Sequence, residues 1–98
     1  MRLNPLQVDT IKNTTKAVFG ENTSVYLFGS RVDDTKKGGD IDLLIIPTVD
    51  FEKERDKINS LKVKLILSLG DQKIDIIVKR PSDVRYIIEV AINTGIEL

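Results

Sequence analysis

Asp40 and Asp42 flank Ile41 at the head of an otherwise apolar run, Leu43-Leu44-Ile45-Ile46. A carboxylate entering a core unpaired costs several kcal/mol, roughly, so two of them at the start of such a run imply a use. In an extended chain, side chains two apart share a face. Asp40 and Asp42 therefore project together, while Ile41 points to the opposite side. A third acid, Asp75, interrupts a second apolar run, Ile74-Asp75-Ile76-Ile77. Upstream, Leu27-Phe28 leads into Gly29-Ser30-Arg31. Three carboxylates at close range repel one another unless a cation lies between them. Donors that are all oxygen suit a hard ion, Mg²⁺ first and Mn²⁺ second. Glycine lets a phosphate approach the backbone, and amides that open a helical turn form an anion site. The Ser30 hydroxyl can donate to a phosphate oxygen, and Arg31, Lys36 and Lys37 are candidates to balance triphosphate charge. The chemistry this combination suits is phosphoryl chemistry assisted by magnesium. Each piece alone is common; their ordered combination is specific.

The composition narrows the alternatives. The chain contains no histidine and no cysteine. Thiolate metal sites, disulfides, and Ser-His-Asp or Cys-His nucleophiles are thereby excluded. Any catalysis runs on carboxylates, hydroxyls, Lys, Arg and bound metal. The 15 basic and 15 acidic residues cancel, so no basic surplus supports general nucleic-acid binding. No apolar stretch reaches the roughly 20 residues of a membrane span, and the expectation is a soluble, cytoplasmic protein. Its 98 residues allow a single domain, 1–98, with a thin stability margin. The acids, Asp33 and Asp34 included, do not fit a twelve-residue EF-hand loop, and neither a Walker nor a dinucleotide-binding glycine pattern occurs.

The elements that must position these residues are legible. Asn4-Pro5 is a helix start, and Val8, Ile11, Thr15 and Val18 recur at helical spacing up to Gly20, which predicts a helix over 5–19. Ser24 to Phe28 reads as a buried strand and 30–39 as a loop closed by Gly38-Gly39. A second strand spans 40–46 and ends at Pro47. Asp50 is the expected cap of a long helix over 51–69, with Ile58, Leu61, Leu65 and Leu69 as its apolar stripe and Lys53, Lys57, Lys62 and Lys64 mostly off it. Lys73 to Lys79 reads as a third strand. Pro81 and Ser82 open a last helix through about Asn93, with Val84, Ile87, Ile88 and Ala91 facing inward. Ile96 to Leu98 reads as a terminal edge strand. The long helix suits a crossover between parallel strands two and three, and the short link favours antiparallel strands one and two. The expected class is α+β: a small mixed sheet with helices packed against it. This topology brings the Gly29-Ser30 turn, Asp40, Asp42 and Asp75 to one edge.

In order and spacing, Leu27-Phe28-Gly29-Ser30-Arg31, Gly39-Asp40-Ile41-Asp42-Leu43-Leu44 and Ile74-Asp75-Ile76-Ile77 resemble the minimal nucleotidyltransferases of the DNA polymerase β-like superfamily. The likeness covers nearly the whole chain. Nine residues separate Ser30 from Asp40, one fewer than is common in that family. The resemblance implies the nucleotidyltransferase fold. It assigns Gly29, Ser30 and Arg31 to nucleotide binding, with Gly29 and Ser30 on the β- and γ-phosphates. Asp40, Asp42 and Asp75 become catalytic metal ligands for two Mg²⁺ ions. In-line displacement at the α-phosphorus then releases pyrophosphate. It further implies an NTP substrate, ATP first, and a helical partner of the HEPN type. With that partner the chain would form a toxin–antitoxin pair as the antitoxin, transferring AMP to a hydroxyl on it. The alternative is an antitoxin with weak or lost catalysis that neutralises a HEPN ribonuclease by stable contact. The base, the acceptor and self-association stay open at this level.

Overall fold

The computed structural model describes residues 3–32, 40–49, 51–81 and 83–98, with only the backbone of Ser30 and Arg31. Helix α1, Pro5–Phe19, begins where the Asn4-Pro5 signal places it. Asn4 Oδ1 accepts from the Gln7 amide at 2.8 Å, and Gln7 Oε1 accepts from the Asn4 amide at 2.9 Å. These reciprocal bonds satisfy donors that the first turn otherwise leaves open. Strand β1, Ser24–Phe28, runs into a 3-10 turn at Gly29–Val32. Strand β2 is Ile41–Ile46, helix α2 Glu54–Leu69, strand β3 Ile74–Val78, helix α3 Tyr86–Thr94 and strand β4 Ile96–Glu97.

The sheet order is β3-β2-β1-β4. Strands β1 and β2 are antiparallel, β2 and β3 parallel across α2, and β4 antiparallel to β1. Both expected pairings of the first three strands are present. Strand alternation then divides the side chains. Val25, Leu27, Ile41, Leu43, Ile45, Ile74 and Val78 enter one core with Ile11 and Phe19 of α1 and Leu61 and Leu65 of α2. On the opposite face, Phe28 and Leu44 pack with Ile88 and Ala91 of α3, flanked by Tyr26, Ile46 and Ile77. The central strand β2 is thus apolar on both faces except at its start, where Asp42 stands. Among the described residues no helix is long and apolar enough to cross a membrane.

Several boundaries depart from expectation, and at the two helix starts the reason is tertiary. Strands β2 and β3 are one residue shorter at the ends where charged residues lie. Helix α2 starts at Glu54 instead of Phe51, after Lys53 in the left-handed region at φ 56°. Phe51 is drawn out of the helix by a better contact. Its ring meets Phe19 edge-on at 5.4 Å, and the Arg80 guanidinium lies 4.2 Å from its centroid. Lys57 is likewise not wholly off the packed face: its ammonium donates to the Val18 carbonyl at the end of α1. Helix α3 starts at Tyr86, not at Pro81, because Asp83 and Arg85 hold the intervening segment. The Arg85 guanidinium pairs with Asp83 at 2.8 Å and donates to the Val78 carbonyl at 3.1 Å. Val84 and Ile87, expected inside, are consequently exposed, whereas Ile88 and Ala91 are buried as expected. The expected cap Asp50, and Ser82 at the expected opening of the last helix, lie outside the described residues.

Candidate active site

The register of β2 against β3 builds the site. Ile41 stands opposite Ile74, and Asp42 opposite Asp75. With both isoleucines committed to the first core, Asp42 and Asp75 are turned to the α3 face. Leu44 and Ile77, two residues further on, are covered there by the α3 layer. The two acids lie at the rim that this layer leaves open. The Asp42 carboxyl faces Asp75 across the two strands. Partial burial, then the charge of Asp75, then that of Asp40, push the Asp42 pKa above the ordinary carboxylate value. Asp40, just before the strand, is half-exposed and contributes to the same field. The three expected acids therefore share one rim.

A cation also stands among them, Lys73, which the sequence places only at the start of the third strand. Lys73 Nζ lies 3.4 Å from Asp40 Oδ2 and 3.9 Å from Asp75 Oδ2. Its backbone is tied to the same place, since the Ile41 amide donates to the Lys73 carbonyl at 3.1 Å. The bond to Asp40 and the neighbouring carboxylates raise the lysine pKa. The sequence held a signal for this: Lys73 precedes Asp75 by two, so both belong to one strand face. As the side chains stand, no three acidic groups among the described residues are close enough to cage a metal ion unaided.

Gly29 closes the rim from β1. Phe28 pairs with Asp42 across β1 and β2, which brings the next residue against that carboxylate. Gly29 adopts φ +79°, and a Cβ there would overlap the Asp42 carboxyl group. Glycine is thus required twice, for the backbone angle and for the space. The chain then enters its 3-10 turn, whose first amides belong to Gly29, Ser30 and Arg31. The side chains of Ser30 and Arg31 and the whole of Lys36 and Lys37, expected near a triphosphate, lie outside the described residues.

A turn of this kind, two facing acids on adjacent parallel strands and a further acid one step before them form an arrangement suited to polyphosphate chemistry. Comparison with known proteins bears on the same point. No curated protein matches the chain. The model of the nucleotidyltransferase domain family matches residues 8–97, a span that includes most of α1, all four strands, the Gly29 turn and every acid of the rim. The small mixed sheet with its packed helices is consistent with that family's fold. A domain of this kind is a transferase that takes an NTP and passes on its nucleoside monophosphate, and with its match running through nearly every element that builds the rim, the chain belongs to the nucleotidyltransferase domain family.

Proposed function

We propose that the chain is a magnesium-dependent nucleotidyltransferase in which Asp40, Asp42 and Asp75 hold the metal, with Gly29, Ser30 and Arg31 on the NTP phosphates. The observation that carries this reading is the pairing of Asp42 with Asp75 across β2 and β3, beside Asp40 and against Gly29. The donor set is chemically apt, being oxygen-only and held at a partly open rim, with like-charge repulsion that a divalent cation relieves. Mg²⁺, or Mn²⁺ in its place, would supply charge neutralisation for the entering and leaving oxygens of the displacement, two ions sharing the task. The protein's own part is to hold the acids in register and to present backbone amides at the 3-10 turn to phosphate oxygens.

The acceptor in this proposal is a hydroxyl on a partner protein, AMP from ATP being the group transferred. The partner is a HEPN-type helical protein, with the chain as antitoxin of the pair. The resemblance set out above supports this. Incubation with α-labelled ATP, Mg²⁺ and the candidate partner should label the partner, and Asp42→Asn should abolish labelling while the protein remains folded. Absence of transfer with every NTP, in Mg²⁺ and in Mn²⁺, would defeat the reading.

A second reading, neutralisation by contact alone, draws on a different place. Val84, Tyr86 and Ile87 are exposed beside a groove of about 350 Å³ of mixed lining, with Val84, Ile88 and Ile92 next to Lys79, Asp83 and Arg85 among others, at the end of β3 remote from the acids. An Asp40→Ala, Asp42→Ala double variant that still neutralises the partner would favour this reading. Preserved binding with lost neutralisation would favour catalysis.

A further inference from the structure

Lys73 occupies the ground between two of the three rim acids, and its position is set by the fold. The bond from the Ile41 amide to the Lys73 carbonyl ties Lys73 into the Ile41–Ile74 step of the β2–β3 ladder. That step puts Lys73 on the strand face of Asp75 and next to Asp40. The side chain itself is 70% exposed. Its ammonium is held there by Asp40 at 3.4 Å and Asp75 at 3.9 Å. Such an exposed contact is weak and readily exchanged. A rim of three carboxylates needs positive charge to stay assembled, and here the chain supplies one unit of it from within.

We infer that Lys73 is the resident counter-ion of the acidic rim, a positioning residue that holds Asp40 and Asp75 together in the metal-free protein and gives up its place to the incoming divalent cation. The inference rests on the metal-binding reading above. Metal uptake by the free protein is then an exchange, one ammonium leaving as one divalent ion enters, and the competing charge holds the metal affinity down. Replacing Lys73 by a neutral residue of similar length makes the rim more acidic, weakens the metal-free fold and strengthens its attraction for metal. Arginine keeps the charge and should keep the behaviour.

The experiment is a Mn²⁺ titration of the nucleotide-free protein, followed through the electron paramagnetic resonance signal of the free ion. It compares wild type, Lys73→Gln, Lys73→Arg and Asp42→Asn, with melting of each in EDTA and in Mn²⁺. Lys73→Gln should bind Mn²⁺ roughly fivefold more tightly than wild type, the order expected for one unit charge removed at this range in screened surroundings. Lys73→Arg should stay near wild type. In EDTA, Lys73→Gln should melt below wild type, and Mn²⁺ should remove the difference. A role confined to structure would depress melting in both conditions without tightening the metal. Mn²⁺ affinity that is unchanged or weaker in Lys73→Gln, while wild type binds and Asp42→Asn does not, overturns the counter-ion role alone. Failure of all four proteins to bind, or undiminished binding by Asp42→Asn, removes the metal-binding reading and the counter-ion role with it.

Discussion

A methyl group at position 29 has no room: the backbone there is in the positive-φ region and the space is filled by Asp42. Gly29→Ala should therefore cost about 1–3 kcal/mol of stability, the range for a non-glycine residue held in a sparsely allowed conformation, measurable as a shift of the urea midpoint. It should also displace the Asp42 carboxyl and so reduce nucleotidyl transfer. Asp42 itself has a folded-state pKa raised by partial burial and by its acidic neighbours. The folded protein thus holds that proton to higher pH than the unfolded chain does, and wild-type stability falls as pH rises from the ordinary carboxylate value through the raised one. Asp42→Asn removes this loss. In EDTA near neutral pH the variant should melt above wild type, and the gap should close in acid, where Asp42 is protonated in both states. A gap that persists or reverses in acid would exclude the electrostatic cause.

Among the elements, the segment leading into α3 shows how one ion pair sets a helix boundary. Asp83 and Arg85 bind each other, and Arg85 reaches the Val78 carbonyl at the end of β3. The pairing lowers the Asp83 pKa, first through its hydrogen bond to the Arg85 side chain and then through the Arg85 amide. A depressed carboxylate contributes stability above its unfolded pKa and loses it as pH falls through the folded one. Asp83→Asn should accordingly be less stable than wild type at neutral pH, with the difference vanishing at low pH. The measurement is paired thermal melts across the acid range. Transfer activity should change little, because this segment lies at the end of β3 away from Asp75. The start of α2 obeys the same logic with different chemistry, an aromatic contact in place of an ion pair. Phe51 trades its place in the helix for Phe19 and Arg80.

For the molecule as a whole, the main core lies between the sheet and the pair α1 and α2, and Thr15 is a polar misfit in it. Thr15 is fully buried on α1, and among the described residues its hydroxyl has no hydrogen-bond partner. Val has nearly the same shape without the desolvated oxygen, so Thr15→Val should raise stability by about 1 kcal/mol. Leu65→Ala, at a fully buried site opposite the sheet, should lower it by about 2–5 kcal/mol, a large share of what a chain of this size commands. Both are read from denaturant midpoints. The two together test whether this core is as tightly committed as its burial implies.

Local patterns in the chain determined the kinds and order of the elements. Helix α1 follows from Asn4-Pro5 and its apolar spacing, and the strands follow from β-branched runs that stop at glycine or proline. The common face of Asp40 and Asp42 follows from the two-residue period of an extended chain. These are short-range effects, set by sterics and hydrogen bonding within a few residues. Tertiary structure decided which residues face each other across strands. Asp75 opposite Asp42, Lys73 between Asp40 and Asp75, Phe51 against Phe19 and Arg85 on Val78 all depend on register and on contacts between segments far apart in sequence. Such contacts are chosen by the packing of the whole core: a shift of β3 by one residue would send Ile74 out of the core and Asp75 into it. The acids and their common edge were therefore legible, but which acid faces which, and the lysine that meets them, belong to the fold.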